Sequence, residues 1–133
     1  MSVLLWSLVI GGLLHVLSKA PAMMYMNAEA GGYDNRHPRQ QHAQLSGAGA
    51  RALAAHQNTL ESFALFAAGI LVAEAVALPH LLSSMLAVGF LVARVLYVVC
   101  YVKDWATLRS WVWAAGYFAC IGLMLSPWYA GVA

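Results

Sequence analysis

The sequence predicts an all-α integral membrane protein built as a four-helix bundle, and three observations carry that expectation. The chain of 133 residues is 62% hydrophobic and 9% charged, against roughly 25% charged in an ordinary soluble domain. A bilayer-spanning helix needs about 20 mainly apolar residues. Four runs of that order lie between the charged side chains: Met1 to Ser18 with no ionised residue, Ala52 to Ala73 with only Glu61, and Ala75 to Ala93 and Ser110 to Ala133 with none. The seven basic residues also sort by position. Lys19, Arg36, Arg39 and Arg51 flank the link between the first and second runs, and Arg94, Lys103 and Arg109 flank the link between the third and fourth. Residues 1–133 suffice for one such domain and are too few for a second.

The first helix is expected from about Val3 to Met26, with Pro21 as a candidate kink. The SKAPA stretch has the small residues of a signal-peptide cleavage site. No positive n-region precedes Val3, however, and the run exceeds the usual ~7–15-residue apolar core of such peptides, so the segment reads as a retained helix. The link from about Glu29 to Gly49 is the longest non-apolar segment, with Gly31-Gly32, Asp34-Asn35, Pro38 and the polar Arg39-Gln40-Gln41-His42 run. Loops of that length are often functional or mobile.

The second helix is expected over 47–77, long enough for its first turns, with Arg51, to project beyond the ~30 Å hydrocarbon core. A short turn at Leu78-Pro79-His80 leads to the third helix over 79–102, and the fourth follows over 106–128. Trp105, Trp111 and Trp113 near one boundary, and Trp6, Trp128 and Tyr129 near the other, match the aromatic belts found at headgroup level.

Because cytoplasmic loops accumulate Lys and Arg, both basic links are expected in the cytosol and both termini outside. The net charge of +2 is thereby accounted for by topology, which removes the case for a nucleic-acid partner. Cys100 and Cys120 fall inside apolar segments with neither metal-site nor disulfide-framework spacing and read as small packed residues. His15, His37, His42 and His80 show no metal-ligand spacing, so no metal is assigned.

The polar residues within the apolar runs are the informative ones. Successive helical residues advance by about 100°, so Arg51 and Asn58 lie about 20° apart and Glu61 about 60° beyond Asn58, forming one stripe on the second helix. Arg94, Tyr97 and Tyr101 share one face of the third helix, and Arg109 opens the fourth at a similar depth. A carboxylate in hydrocarbon costs about 2.5–3.5 kcal/mol or more unless it finds a partner, so Glu61 is expected to point inward, toward Arg94 or Arg109. A structural network holding the helices together would explain one such pair. Three arginines against one glutamate leave excess positive charge, which suits an anionic, carboxylate-bearing ligand held by bidentate guanidinium contacts. His56 and Gln57 lie off the stripe, and His56 is expected to hydrogen-bond a neighbouring helix or subunit; Glu74 reads as interfacial.

These residues carry a resemblance. Arg51 with Ala55-His56-Gln57-Asn58 and Glu61, then Arg94-Val95-Leu96-Tyr97 with Tyr101, then Leu108-Arg109-Ser110, are similar in order and spacing to the second-, third- and fourth-helix patterns of the MAPEG family, membrane-associated proteins in eicosanoid and glutathione metabolism. The resemblance implies a homotrimeric four-helix fold with sites at subunit interfaces, open to the cytosol. It implies glutathione, or a related thiol, as cosubstrate. Arg51, Asn58, Glu61, Arg94, Tyr97 and Tyr101 would line the peptide pocket, with Arg109 beside the sulfur and Ser110 as a second hydrogen-bond donor or simply a packing residue.

Ala54 and Gln57 stand where eicosanoid-synthesising members carry arginines, which argues against a dedicated eicosanoid synthase. The chain looks more like short bacterial members, implying a bacterial inner membrane. The expected function is a glutathione-dependent transferase or peroxidase acting on lipophilic small molecules. The alternatives are a non-catalytic trimer binding an anionic lipid or fatty acid, and a small multidrug transporter, for which Glu61 among three arginines is poorly placed.

Overall fold

A computed structural model of the chain describes residues 2–76 and 81–131, and every regular element among them is helical. The first apolar run forms α1 (Val3–Leu17) and α2 (Ala20–Ala28), with the Ser2 hydroxyl accepting the Leu5 amide at 3.1 Å as N-cap. The break falls at Ser18-Lys19, one turn before Pro21. Pro21 has no N–H to offer the Leu17 carbonyl and its ring crowds that oxygen, so the helix must open there.

The link to the second run is more ordered than a polar loop. Its Pro38–Gln44 segment forms a short helix, α3, and Gln41 is 7% exposed. The Gln41 amide donates to the carbonyls of Met26 (3.0 Å) and Gly32 (2.9 Å), while its oxygen accepts the Asp34 amide at 3.0 Å. Asp34 in turn accepts the backbone N–H groups of His37 (3.1 Å) and Arg36 (2.8 Å). Those bonds hold its carboxyl below the ordinary carboxylate value.

Next comes α4 (Gly47–Ala75), whose 29 residues extend about 44 Å at ~1.5 Å per residue. It is followed by α5 (Leu81–Val102) and α6 (Ala106–Met124). The expected turn at Leu78-Pro79-His80, the start of the third helix at Pro79 and the end of the second at Ala77 lie outside the described residues. The final helix stops at Met124 and restarts as the single turn α7 (Ser126–Tyr129), short of an unbroken run to Trp128. Pro127 is the cause, by the mechanism acting at Pro21.

Among the described residues, three helices are long and apolar enough to cross a membrane: Val3–Ala28 taken across its break, α4 and α5. The protein is an all-α integral membrane protein. In lipid, helices associate through close packing of small residues rather than through exclusion of water, and the buried positions Ala52, Ala55, Ala73, Ala87, Ala93 and Ala119 follow that logic. One close approach is between α4 and α6, where a Cβ on Gly69 would come within 2.9 Å of the Leu123 Cβ. Phe66 and Phe90 stack at 4.0 Å in the centre of the apolar core. Large apolar side chains such as Leu13, Val16, Val92 and Phe118 stay exposed, as a lipid-facing surface requires.

At one end of this bundle, α5 turns into α6 through a tight Schellman-type cap. The Trp105 amide donates to the Cys100 carbonyl at 2.9 Å and the Asp104 amide to the Tyr101 carbonyl at 3.2 Å. Asp104 takes the left-handed conformation usually given to glycine, at φ 62°. This corner sets where Arg109 emerges at the start of α6.

Candidate functional site

The three arginines of the sequence pattern meet three different fates. Arg94 is 3% exposed. Its Nη1 donates to the Asn58 Oδ1 at 3.0 Å and to the Ser62 Oγ at 2.9 Å, and its guanidinium lies 4.5 Å from the Tyr97 ring and 5.6 Å from Phe90. Gly116 on α6 leaves it room, since a Cβ there would stand 3.3 Å from Nη2. Its Nε has no hydrogen-bond partner among the described residues.

Arg51 serves the corner. Its Nη2 donates to the Val102 carbonyl at 3.4 Å and its Nη1 faces Asp104 at 3.8 Å. The Val102 oxygen is one of the carbonyls that the end of α5 leaves without an intrahelical donor. Arg51 thus steadies the strained turn preceding Arg109.

The Arg109 guanidinium makes no hydrogen bond or ion pair among the described residues. Its guanidinium lies 4.4 Å from the Tyr101 ring. It lines an open groove of about 550 Å³ with Tyr97, Tyr101, Ser110, Trp111, Trp113 and Ala114. Tyr97 and Tyr101 meet edge to face at 5.5 Å, making one aromatic wall. Ser110 donates its hydroxyl to the Ala106 carbonyl at 3.1 Å, so a hydrogen bond to a ligand would have to displace that contact.

A second, smaller groove of about 160 Å³ is lined by Asn58, Glu61, Ser62, Arg94, Phe90 and Cys120 among others, and Trp113 lines both grooves. The structure therefore brings Tyr97, Tyr101, Arg109 and Ser110 together, and Asn58, Glu61 and Arg94 together beside them. Arg51 lines neither groove. The expected partnership of Glu61 with Arg94 or Arg109 is not formed. Glu61 is exposed, and it accepts the Asn58 Nδ2 at 3.4 Å. Lying about 60° further round α4 than Asn58, it sits at the mouth of the smaller groove.

Ser62, Trp113 and Tyr117 are the residues that sequence reasoning passed over. Ser62 is one turn from Asn58, and Trp113 and Tyr117 follow Arg109 at four-residue intervals, so helical spacing held the signal. Off the stripe, the His56 Nδ1 contacts the Ser18 Oγ of α1 at 2.9 Å. That hydroxyl gives its hydrogen to the His15 carbonyl at 2.6 Å, so the His56 Nδ1 must be the protonated nitrogen. His56 also stacks on the His15 ring at 5.0 Å. Glu74 accepts the Ser2 hydroxyl at 2.8 Å, tying α4 to the start of α1.

The MAPEG family model matches residues 3–129, nearly the whole chain. No curated protein and no solved structure matches the chain.

Proposed function

This chain belongs to the MAPEG family, and on that premise we propose that it is a glutathione-dependent transferase or peroxidase acting on hydrophobic electrophiles or lipid hydroperoxides. The observation that carries the reading is Arg109: a guanidinium without a hydrogen-bonding or ionic partner among the described residues, held over Tyr101 in an open groove. A thiol has a pKa near ~8.5 and is mostly protonated at neutral pH, whereas the thiolate is the nucleophile. A guanidinium beside the sulfur, in a groove of reduced dielectric, favours the thiolate.

The thiolate then forms a bond to carbon of an electrophile, expelling a leaving group or drawing a proton from water. With a hydroperoxide, sulfur attacks the terminal oxygen and the alcohol departs. A second glutathione reduces the sulfenic acid, giving disulfide and water. Tyr97 and Tyr101 would wall the peptide, Asn58 and Glu61 would meet its polar end, and Arg51 would add positive potential near the corner. The working form is a homotrimer in a bacterial inner membrane, with both termini outside and the groove open to the cytosol. Trp111 and Trp113, both exposed, line the lipid side from which an apolar substrate would arrive.

Titrating purified protein with glutathione should produce the ultraviolet absorbance of a bound thiolate, absent in Arg109→Ala. A complete lack of thiolate signal and of ligand-induced thermal stabilisation in the wild type would exclude this function. The hydrogen bond from Ser110 to Ala106 favours a second reading, a non-catalytic trimer that holds an anionic lipid or fatty acid on the same arginine. That reading expects copurified lipid and no conjugation of chlorodinitrobenzene; Arg109-dependent turnover excludes it.

A further inference from the structure

Arg94 is the most buried cation of the chain's candidate site, and its Nη1, the nitrogen that reaches α4, is already engaged there. It is 3% exposed, is flanked by Tyr97 and Phe90, and lies against α6 at Gly116. Its Nη1 is shared between Asn58 and Ser62. The Ser62 hydroxyl gives its own hydrogen back to α4, to the Asn58 carbonyl at 2.7 Å, so toward Arg94 it can only accept.

The consequence lies in the orientation of the Asn58 amide. A guanidinium donates and never accepts, so the Asn58 atom facing Arg94 must be the oxygen. The Asn58 NH₂ is thereby turned to the opposite side, where it meets the exposed Glu61 carboxylate at 3.4 Å. Without Arg94, the amide could rotate and present its oxygen to the carboxylate, an arrangement of two acceptors that would push Glu61 aside. Glu61 has no ion pair among the described residues and lines the groove that shares Trp113 with Arg109.

We infer that Arg94 is a positioning residue that acts through Asn58 to hold the Glu61 carboxylate ready for a ligand ammonium group. The inference rests on the thiol-peptide reading for the identity of the ligand. Glutathione carries one ammonium, and Glu61 is the anionic side chain of the two grooves. The relay Arg94–Asn58–Glu61 rests on the hydrogen bonds alone.

Two measurements test it, on full-length protein in detergent. Binding of glutathione is compared with binding of its des-amino analogue, in which hydrogen replaces the ammonium. Arg94→Met and Asn58→Ala should each weaken glutathione by about tenfold, the size expected for one charge-assisted hydrogen bond, and leave the analogue within about threefold. Arg94→Lys should restore part of the difference. The second measurement needs no ligand: the infrared carboxylate band of Glu61, identified by its loss in Glu61→Gln, should shift in Asn58→Ala and in Arg94→Met.

Equal weakening of both ligands overturns the inference, since a direct carboxylate contact or a general loss of structure would not distinguish them. An unmoved Glu61 band in Asn58→Ala overturns it as well, even if Arg94→Met fails to fold. If the wild type binds no glutathione, the thiol reading falls separately, and a shifted or unshifted band still decides the relay.

Discussion

Arg94 and Arg109 are the same side chain in nearly the same aromatic setting, 4.5 Å from the Tyr97 ring and 4.4 Å from the Tyr101 ring. They differ in everything else. Arg94 lies inside the helix packing with two side-chain acceptors, whereas Arg109 stands at the helix start, half-buried, with its donors unspent. A cation over an aromatic face gains about 0.5–2 kcal/mol in either place. What separates a structural arginine from a reactive one here is whether the fold supplies acceptors for its N–H groups. An arginine anchored through one nitrogen to two acceptors holds the helices together, and one with no acceptor at all retains its field for a ligand.

The comparison breaks most sharply at Arg109. Arg109→Ala should lower glutathione-dependent turnover by about 10²–10³-fold, the loss typical of removing one preorganised charge-stabilising group, while the melting temperature barely moves. A similar melting loss on removing Arg109 would mean that its role is structural too.

Added volume should sharpen the contrast. Gly116→Val places a methyl-bearing carbon against the Arg94 guanidinium, where an added Cβ alone would stand 3.3 Å from Nη2, and should destabilise by about 1–3 kcal/mol. Ala114→Val, on the open groove beside Arg109, should change stability by no more than ~0.5 kcal/mol. Thermal unfolding in one detergent measures both, and equal effects would deny that the two sites differ in packing.

The third arginine is intermediate. Arg51 reaches an exposed carboxylate at 3.8 Å with 31% of its own side chain exposed, so Arg51→Ala should cost about 0–1 kcal/mol, with the Asp104 share fading at high salt. Increased hydrogen exchange should be confined to residues 102–105.

The smallest effect is expected in the α2–α4 link, where burial first, then Lys19 and Arg39, hold the His42 imidazole below its ordinary value of 6.5. A histidine kept neutral by folding binds fewer protons folded than unfolded. Stability of the docked α3 is therefore undiminished above 6.5 and falls as pH drops through that value, levelling off beneath the lowered folded value. Hydrogen exchange of residues 38–44, corrected for intrinsic rates, should show that slope in the wild type and lose it in His42→Gln.

Much of this was legible in the residues, for identifiable reasons. Apolar length predicts helices because lipid leaves backbone groups no other partner. Pro21 announces a break, though the structure places it one turn earlier, at the carbonyl the ring crowds. The 100° advance per residue put Arg94, Tyr97 and Tyr101 on one face, and both rings do receive guanidinium groups, Tyr97 from Arg94 and Tyr101 from Arg109. The same arithmetic could not show that Ser62 and Asn58 would share the Arg94 Nη1, that Glu61 would turn outward to Asn58, or that Gln41 would order the link with hydrogen bonds from both ends of its amide.

Composition and periodicity by themselves determined that this chain is a helical membrane protein, and the order of its arginines pointed to its family, because the bilayer restricts the backbone and a helix has one period. Which arginine is left open was decided only by the packing of α4, α5 and α6. Hydrogen-bond saturation depends on atoms from separate helices meeting within about 3 Å, and no spacing along one helix encodes the distance to another.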